Sequence, residues 1–336
     1  MDKGHERRSF RSRLITSHIS AHHARLLEYG AQMSFTQKFK AREVDFALLL
    51  VAALWGASYL SAKTLTEHAP VLTVLSLRFI STSIAMALIW LIRRDRITRP
   101  EIYLGVGLGS SQALILYFET SGVSKTSATN AGLIISLAII FTPIFESIAS
   151  KNWLPRPFFV ATVLAVVGVA LLVSDKGFAA PGIGDWLMLA AALFRAIHVT
   201  AMGHLTASKS YSSVSITLLQ SLTCGVIYSV FSVDGIAQAF KDFDTGLWLD
   251  LAFLSLLCGA FAFLVTLWAI RRTSSSRASL LLGTEPVWAV VVGISLGGEK
   301  LALLGVVGAV IIIGSSYYGQ RIESAHRLAT QQPQLS

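Results

Sequence analysis

Charged residues are scarce in this chain of 336 residues: Asp, Glu, Lys and Arg together make up 14% of it. A soluble domain carries roughly a quarter of its residues as charged side chains. Hydrophobic residues make up 53%, and the mean hydropathy is +0.62. So few charges cannot cover a water-facing surface of this size, and we therefore expect most of the surface to face lipid.

Cysteine is also scarce, since the chain has only Cys224 and Cys258. Both lie inside apolar stretches and offer neither a disulfide framework nor a metal-ligand spacing, so we expect packed thiols, no metal and no cofactor. The HExxH zinc motif and the Walker motif GxxxxGK[ST] are missing as well. The sequence therefore favours a protein that is not an enzyme, although an intramembrane enzyme with unfamiliar chemistry stays as an alternative.

The apolar residues form ten stretches of about the 20 residues that a helix needs to cross a bilayer. Span length and the absence of short alternating strands indicate helices and not a barrel. We predict an all-α integral membrane protein with ten transmembrane helices, at residues 45–64, 71–92, 102–121, 127–149, 157–174, 184–204, 212–232, 248–270, 277–296 and 300–318.

Two of these regions resemble each other. Ser127–Val173 and Ser274–Tyr318 each contain two apolar spans, a short polar joint, and a second span rich in Gly, Val and Ala. The segment Ser136-Leu137-Ala138-Ile139 aligns with Gly283-Thr284-Glu285-Pro286, and no gap is needed from there to the joint. A duplicated unit of five spans would enter the membrane from opposite sides, which predicts two inverted five-helix repeats, at 45–174 and 184–318.

Basic residues indicate the orientation. The net charge of +9 does not point to nucleic acid, because Lys and Arg lie in the first 44 residues and in short connections. With ten spans, most of these basic segments fall on the side of both termini, which the positive-inside rule places in the cytoplasm. We expect a cell-membrane protein with a basic cytoplasmic tail at 1–44, unless translation starts at Met33, and a cytoplasmic tail at 319–336.

Several short motifs occur in a characteristic order along the chain. They are Leu54-Trp55-Gly56-Ala57-Ser58, Leu77-Arg78-Phe79, Thr126-Ser127-Ala128, Ala269-Ile270-Arg271-Arg272-Thr273-Ser274, Glu285-Pro286-Val287 and Gly298-Glu299. With this order, the chain resembles the drug/metabolite transporter superfamily, in particular its EamA-type ten-helix branch. The resemblance implies export or exchange of small metabolites, often amino acids or drugs, without ATP hydrolysis. It also implies a central cavity lined by the first, third, fourth, sixth, eighth and ninth helices.

The first repeat departs from the family pattern. Ile139 and Asn152 stand where the family usually has Pro and Glu, and Pro143 lies four residues beyond the first of them. We therefore expect the break in the fourth helix to be displaced. In the second repeat, Arg195 stands in a span that is usually apolar or aromatic.

Three charges lie near the middle of their spans, where each costs about 2.5–3.5 kcal/mol on insertion scales. They are Arg78, Arg195 and Glu285. Glu285 could carry a proton or pair with a substrate amine; alternatively, it forms a structural ion pair with Arg78 or Arg195. For Arg78, a structural ion pair or an anchoring role is the favoured interpretation.

Arg195 and His198 are one turn apart and place two basic groups on one helix face. They could bind an anionic substrate group, or Arg195 could form an internal salt bridge. Glu119 is a second candidate for coupling, because Gly105, Gly109, Gln112, Leu116 and Glu119 follow helical spacing along one face. Snorkelling to the interface is the alternative for Glu119 and for Glu146.

Aromatic and amide side chains complete the candidate cavity. Trp55, Ser58 and Tyr59 share a face of the first helix, and Trp288 lies one turn from Glu285. Such aromatics can enclose a substrate or simply pack against neighbouring helices. Two uncharged polar residues either line the cavity or bridge helices, Asn130 and Gln220.

These observations favour a secondary-active transporter, an exporter of small metabolites through a cavity between the repeats. An uncoupled facilitative carrier or channel is the alternative. The expected partners are a small-molecule substrate and the lipid bilayer, with no nucleic acid. The Gly- and Val-rich tenth span could also support a homodimer.

Overall fold

The computed structural model describes residues 35–126, 131, 134–173, 182–297 and 303–331. The chain divides into two units, Met1–Phe46 and Ala47–Ser336. In the first unit the described residues are helical, and the second unit contains the helical bundle and the candidate site. Throughout the described ranges the chain forms helices and turns and no β-strand, which confirms the prediction of an all-α fold.

Twelve helices are described. Some predicted spans contain two of these helices, and others match a helix that extends beyond the predicted span. They are α1 (Phe35–His68), α2 (Val71–Arg93), α3 (Arg99–Val123), α4 (Ala138–Ser150), α5 (Arg156–Val173), α6 (Ile183–Thr206), α7 (Ser213–Val230), α8 (Val233–Asp242), α9 (Thr245–Ile270), α10 (Ser275–Leu282), α11 (Glu285–Gly297) and α12 (Leu303–Gln331).

Length and hydropathy mark six described segments as able to cross a membrane. Shorter apolar helices, Ala138–Ser150 and Arg156–Gly168, cover parts of the fourth and fifth predicted spans. Large apolar side chains point outward from the bundle, among them Ile92 at 81% exposure and Val226 at 63%. Such a surface is stable only against lipid, so the helices form a membrane bundle. The six segments are Arg42–His68, Val71–Arg93, Ile183–Thr206, Ser213–Val230, Thr245–Ile270 and Leu303–Glu323.

The two repeats are broken at aligned positions. A turn at Ser136–Leu137 precedes α4, and a turn at Gly283–Thr284 separates α10 from α11. The expectation of a displaced break was wrong, because Pro143 lies inside α4. Pro143 lacks the N–H that would bond the Ile139 carbonyl, and α4 nevertheless continues past it, as membrane helices that contain proline can.

The third span of each repeat packs on the second span of the other. In α3, a Cβ placed on Gly109 would lie 2.6 Å from the Thr223 Cβ of α7. The reciprocal contact brings Gly259 of α9 against Thr82 of α2, whose hydroxyl donates to the Ser255 carbonyl at 2.9 Å. Small residues let the helix backbones approach closely, which is a main source of packing energy in lipid.

The fifth spans of the repeats also pair with each other. A Cβ on Gly168 of α5 would lie 2.9 Å from the Gly308 carbonyl oxygen of α12. Each of these glycine contacts joins one repeat to the other, so the two repeats form one bundle rather than two separate ones.

Glu146 fastens the end of α4 to the start of α10. Its carboxylate accepts hydrogen bonds from the backbone N–H of Ser275 at 3.1 Å, from that of Ser276 at 2.6 Å, and from the Ser276 hydroxyl. The first N–H groups of a helix have no partner within the helix, and a carboxylate there is favourable. Glu146 therefore has a capping role that the snorkelling alternative does not describe.

Gly109→Ala should weaken the bundle. The new methyl group would lie within 3.0 Å of the Gln220 backbone, and overpacking of this kind costs about 1–3 kcal/mol. Gly107→Ala is the matched control, because nothing lies within 4 Å of the position that its Cβ would take. Thermal unfolding of the detergent-solubilised protein measures both variants. Equal melting temperatures for the two would contradict the close contact.

Candidate functional site

A cavity of about 80 Å³ lies in the middle of the bundle and receives side chains from both repeats. It has room for only a few water molecules, at roughly 10–15 Å³ each. Both helix breaks border it, through Ser136 in the first repeat and Gly283 in the second. The charged and polar residues along its wall are Ser58, Arg78, Gln112, Glu119, Ser136, Thr142, Arg195, His198, Gln220, Thr266, Ser279 and Glu285.

The strongest feature of the cavity is an ion cluster built from three helices. Arg195 of α6 donates to Glu119 of α3 at 2.7 Å and to Glu285 of α11 at 3.1 Å. Their side chains are 18%, 14% and 4% exposed, respectively. Two carboxylates therefore share one guanidinium in a poorly hydrated space. Of the two arginines considered as partners for Glu285, the structure uses Arg195.

The helix break sets the position of Glu285, which is the first residue of α11. A carboxylate at a helix N-terminus is stabilised by the unpaired N–H groups and the helix dipole. Tyr59 of α1 donates its hydroxyl to the same carboxylate at 2.5 Å. The neighbouring Gly56 makes this approach feasible, since a Cβ there would lie 2.5 Å from the Glu285 carbonyl oxygen.

The Trp55 ring packs against Arg195, whose guanidinium carbon lies 5.4 Å from the indole ring centroid. The Trp55 indole N–H donates to the Cys258 carbonyl at 3.0 Å. That carbonyl belongs to Phe253–Phe261, a π-helical segment in the middle of α9. Widened turns of this kind occur frequently at functional sites. Trp55 is thereby fixed, and with Phe263 at 6.0 Å it forms an aromatic platform.

His198 borders the cavity but does not join the ion cluster. Its Nδ1 is 2.7 Å from the Ser111 hydroxyl of α3, and the residue is 5% exposed. The predicted pair of basic groups for an anionic substrate is therefore divided: Arg195 binds two internal carboxylates, and His198 bonds a serine.

Arg78 has a different environment from the one expected for an ion-pair residue. It is 7% exposed, and its Nε has no hydrogen-bond partner among the described residues. Within that part of the chain no carboxylate pairs with it, and its guanidinium carbon lies 6.0 Å from the rings of Phe79 and Phe263. Sequence reasoning identified Arg78 as a charge within an apolar span but favoured an ion pair or an anchoring role, because the sequence does not show which side chains surround it.

The structure separates the remaining predicted residues. Gln112 borders the cavity together with Gln220. Trp288 is half-buried and packs its Cβ side against Gly56 of α1, and it does not border the cavity. Asn130 lies outside the described residues, as do the motif residues 127–128 and 298–299.

The letters of the GxSxG hydrolase motif do occur once, at residues 293–297. They lie in α11, where the Ser295 hydroxyl donates to the Val291 carbonyl at 2.8 Å. A nucleophile elbow needs a sharp strand-to-helix turn. This segment is a continuous helix, so it gives no support to the intramembrane enzyme. The described residues also contain no group of three His, Cys, Asp or Glu arranged to hold a metal ion.

Three relatives share 24% identity with this chain. One, from Archaeoglobus fulgidus, is named an uncharacterized transporter, and the alignment covers 84% of this chain and 87% of that protein. Another, from Salmonella typhimurium, is named a probable amino-acid metabolite efflux pump, with coverage of 86% and 99%. The third, from Streptantibioticus cattleyicolor, is named a probable terminal-alkyne amino-acid exporter, with coverage of 87% and 98%.

The fold also matches a solved structure. One crystal structure superposes with a TM-score of 0.66 over 85% of this chain and 98% of its own length, at 16% identity. The sequence profile of the EamA-like transporter family matches the chain twice, over residues 43–174 and 182–318. The chain therefore belongs to the EamA-like transporter family of the drug/metabolite transporter superfamily.

Proposed function

We propose that this protein is a secondary-active exporter of small amino-acid-like metabolites. Its family consists of transporters, and two relatives are named for the efflux or export of amino-acid compounds. The observation that carries the proposal is the buried cluster of Arg195 with Glu119 and Glu285 beside a central cavity. Ionisable groups inside a membrane bundle mark substrate and proton pathways.

The same proposal includes the topology. Two repeats, 45–174 and 184–318, lie in opposite orientations in the cell membrane, with the basic tail 1–44 and the C-terminal tail 319–336 in the cytoplasm. The double family match, the aligned helix breaks and the reciprocal glycine contacts support this arrangement. In transporters with inverted repeats, broken helices surround a site between the halves, and rocking of the halves exposes it alternately to each side.

The ion cluster offers a means of coupling. With both carboxylates ionised, it carries one more negative charge than Arg195 neutralises. Such an excess is unfavourable in a poorly hydrated interior, so uptake of a proton or of a cationic substrate group would relieve it. Glu285 is the proposed coupling residue and Glu119 its partner, because both bind the same guanidinium. Protonation of Glu285 would weaken its hold on Arg195 and so favour a change of state.

Arg195→Gln should destabilise the protein more than Glu119→Gln does. Loss of the arginine leaves two buried carboxylates without their cation, which costs about 3–5 kcal/mol, whereas loss of Glu119 leaves the pair of Arg195 with Glu285. Arg272→Gln is the control, because Arg272 is exposed and stacks over Trp268. Thermal unfolding in detergent gives the order of stability. An Arg195 variant as stable as the control would show that the cluster is not a structural pair.

Glu285→Gln should abolish proton-driven uptake by liposomes while leaving membrane insertion intact. The amide cannot take up a proton, although it can still accept a hydrogen bond from Tyr59 and from Arg195. The measurement is flux of a radiolabelled amino acid under a set pH gradient. Glu67→Gln serves as the control, since Glu67 is exposed at the end of α1.

The same liposomes distinguish the alternatives. Unchanged gradient-driven flux in the Glu285 variant would remove this residue from the coupling role. Flux in the unaltered protein that persists after the gradient is collapsed would indicate an uncoupled carrier or channel.

A further inference from the structure

We propose that Arg78 is the substrate-binding residue that receives the carboxylate of an amino-acid-like metabolite. The inference deepens the proposed function, since the bound molecule would be the transported one. It rests on a buried cation without a counter-ion and on the unpaired hydrogen-bond donors that share its cavity.

The first observation is the state of the guanidinium itself. Arg78 is 7% exposed, and within the described residues it has neither a salt bridge nor a partner for Nε. The ring centroids of Phe79 and Phe263 are 6.0 Å away, at the outer limit of cation–π attraction, so they compensate little of its charge. A buried charge is normally paired, because an unpaired one loses its hydration without a replacement. The environment of Arg78 therefore lacks one anion.

The second observation is a set of polar groups around the same cavity that also lack partners. The Thr266 hydroxyl is buried without a hydrogen bond in the described part of the chain. The side-chain amides of Gln112 and Gln220 border the cavity, and among the described residues neither one forms a side-chain hydrogen bond. An arginine, two amides and a hydroxyl can all donate to a carboxylate, which accepts through about four lone pairs.

The third observation is the distribution of charge along the cavity. Arg78 provides an unmatched positive charge, while the cluster of Glu119, Arg195 and Glu285 has an unmatched negative one. The two charged regions share the aromatic platform, since Arg195 lies over Trp55 and Arg78 lies beside Phe263. A zwitterion with an apolar side chain complements this wall, with its carboxylate toward Arg78 and its ammonium toward the acidic cluster. The cavity of about 80 Å³ is too small for such a molecule, so its binding requires the rocking of the halves in the proposed function to widen the cavity.

A structural role predicts a different behaviour from a binding role. If Arg78 anchors the helices, its removal should weaken the empty protein. If Arg78 instead stays without a counter-ion until a ligand binds, replacing it should leave the ligand-free protein as stable as the unaltered protein or more stable. The reason is that the replacement removes a buried charge that has no counter-ion. Strain of this kind at a binding site is the usual basis of a trade-off between stability and activity.

The test uses the full-length protein purified in detergent and three pairs of probes. Each pair is an amino acid with an apolar side chain and its carboxamide: phenylalanine, leucine and valine with their amides. The amide keeps the ammonium and the side chain but removes the negative charge. We expect at least one amino acid to raise the melting temperature of the unaltered protein more than its amide does. If no amino acid surpasses its amide, the proposal is wrong.

Arg78→Gln should then lower the affinity for that amino acid by about 10- to 100-fold and leave the response to the amide unchanged. Its melting temperature without a ligand should equal or exceed that of the unaltered protein. Arg78→Lys keeps the charge but loses the planar fork, so its affinity should lie between the two. Arg272→Gln, the exposed control, should bind like the unaltered protein.

Two results would overturn the assignment. One is Arg78→Gln binding the amino acid as tightly as the unaltered protein does. The other is an Arg78→Gln protein that melts lower without a ligand, whether or not it binds, because a structural role explains that result.

Liposome flux of the same probes separates this inference from the proposed function. Carboxylate-selective binding that depends on Arg78, without any flux, would support the site and remove the transport function. Flux of amino acid and amide alike, unaffected by Arg78→Gln, would support transport and remove the site.

Discussion

The need to compensate buried charge governs the centre of this protein. In a lipid environment each ionised group needs a partner, and Arg195 meets that need by binding Glu119 and Glu285 at once. The three residues come from α3, α6 and α11, so the ion cluster joins helices of both repeats. Tyr59 adds a fourth helix through its bond to Glu285. The ion cluster therefore connects the packing of both repeats.

The backbone prepares the site as much as the side chains do. Both repeats are interrupted at aligned turns, and both turns border the cavity. The second repeat places a carboxylate at the new helix N-terminus, whereas the first places Ala138 there. This difference makes the cavity asymmetric although the repeats share one fold. Glycines at Gly56, Gly109 and Gly259 bring the surrounding helices close enough to define its walls.

The two arginines of the cavity differ in their counter-ions. Arg195 is shared by two carboxylates, and Arg78 has none within the described chain. A protein that only needed stability would pair its charges evenly or replace them by apolar groups, which is often neutral or stabilising. An uneven distribution of counter-ions between the two arginines is expected if charged molecules pass through the cavity. This view agrees with membership of a family of transporters.

By itself, the sequence determined the fold class, the rough position of apolar spans, the internal repeat, and the resemblance to the drug/metabolite transporters. These properties follow from hydropathy and residue spacing, which depend only on the order of residues along the chain and can therefore be read from the sequence. It also identified Glu285, Arg195 and Glu119 as charges that need an explanation. Which of them meet could be decided only in three dimensions, because residues far apart in the chain come together only when the repeats interlock. The same packing placed Glu146 on the start of α10, turned Trp288 toward Gly56, and left Arg78 without a counter-ion, since a side chain's partners depend on the helices that surround it.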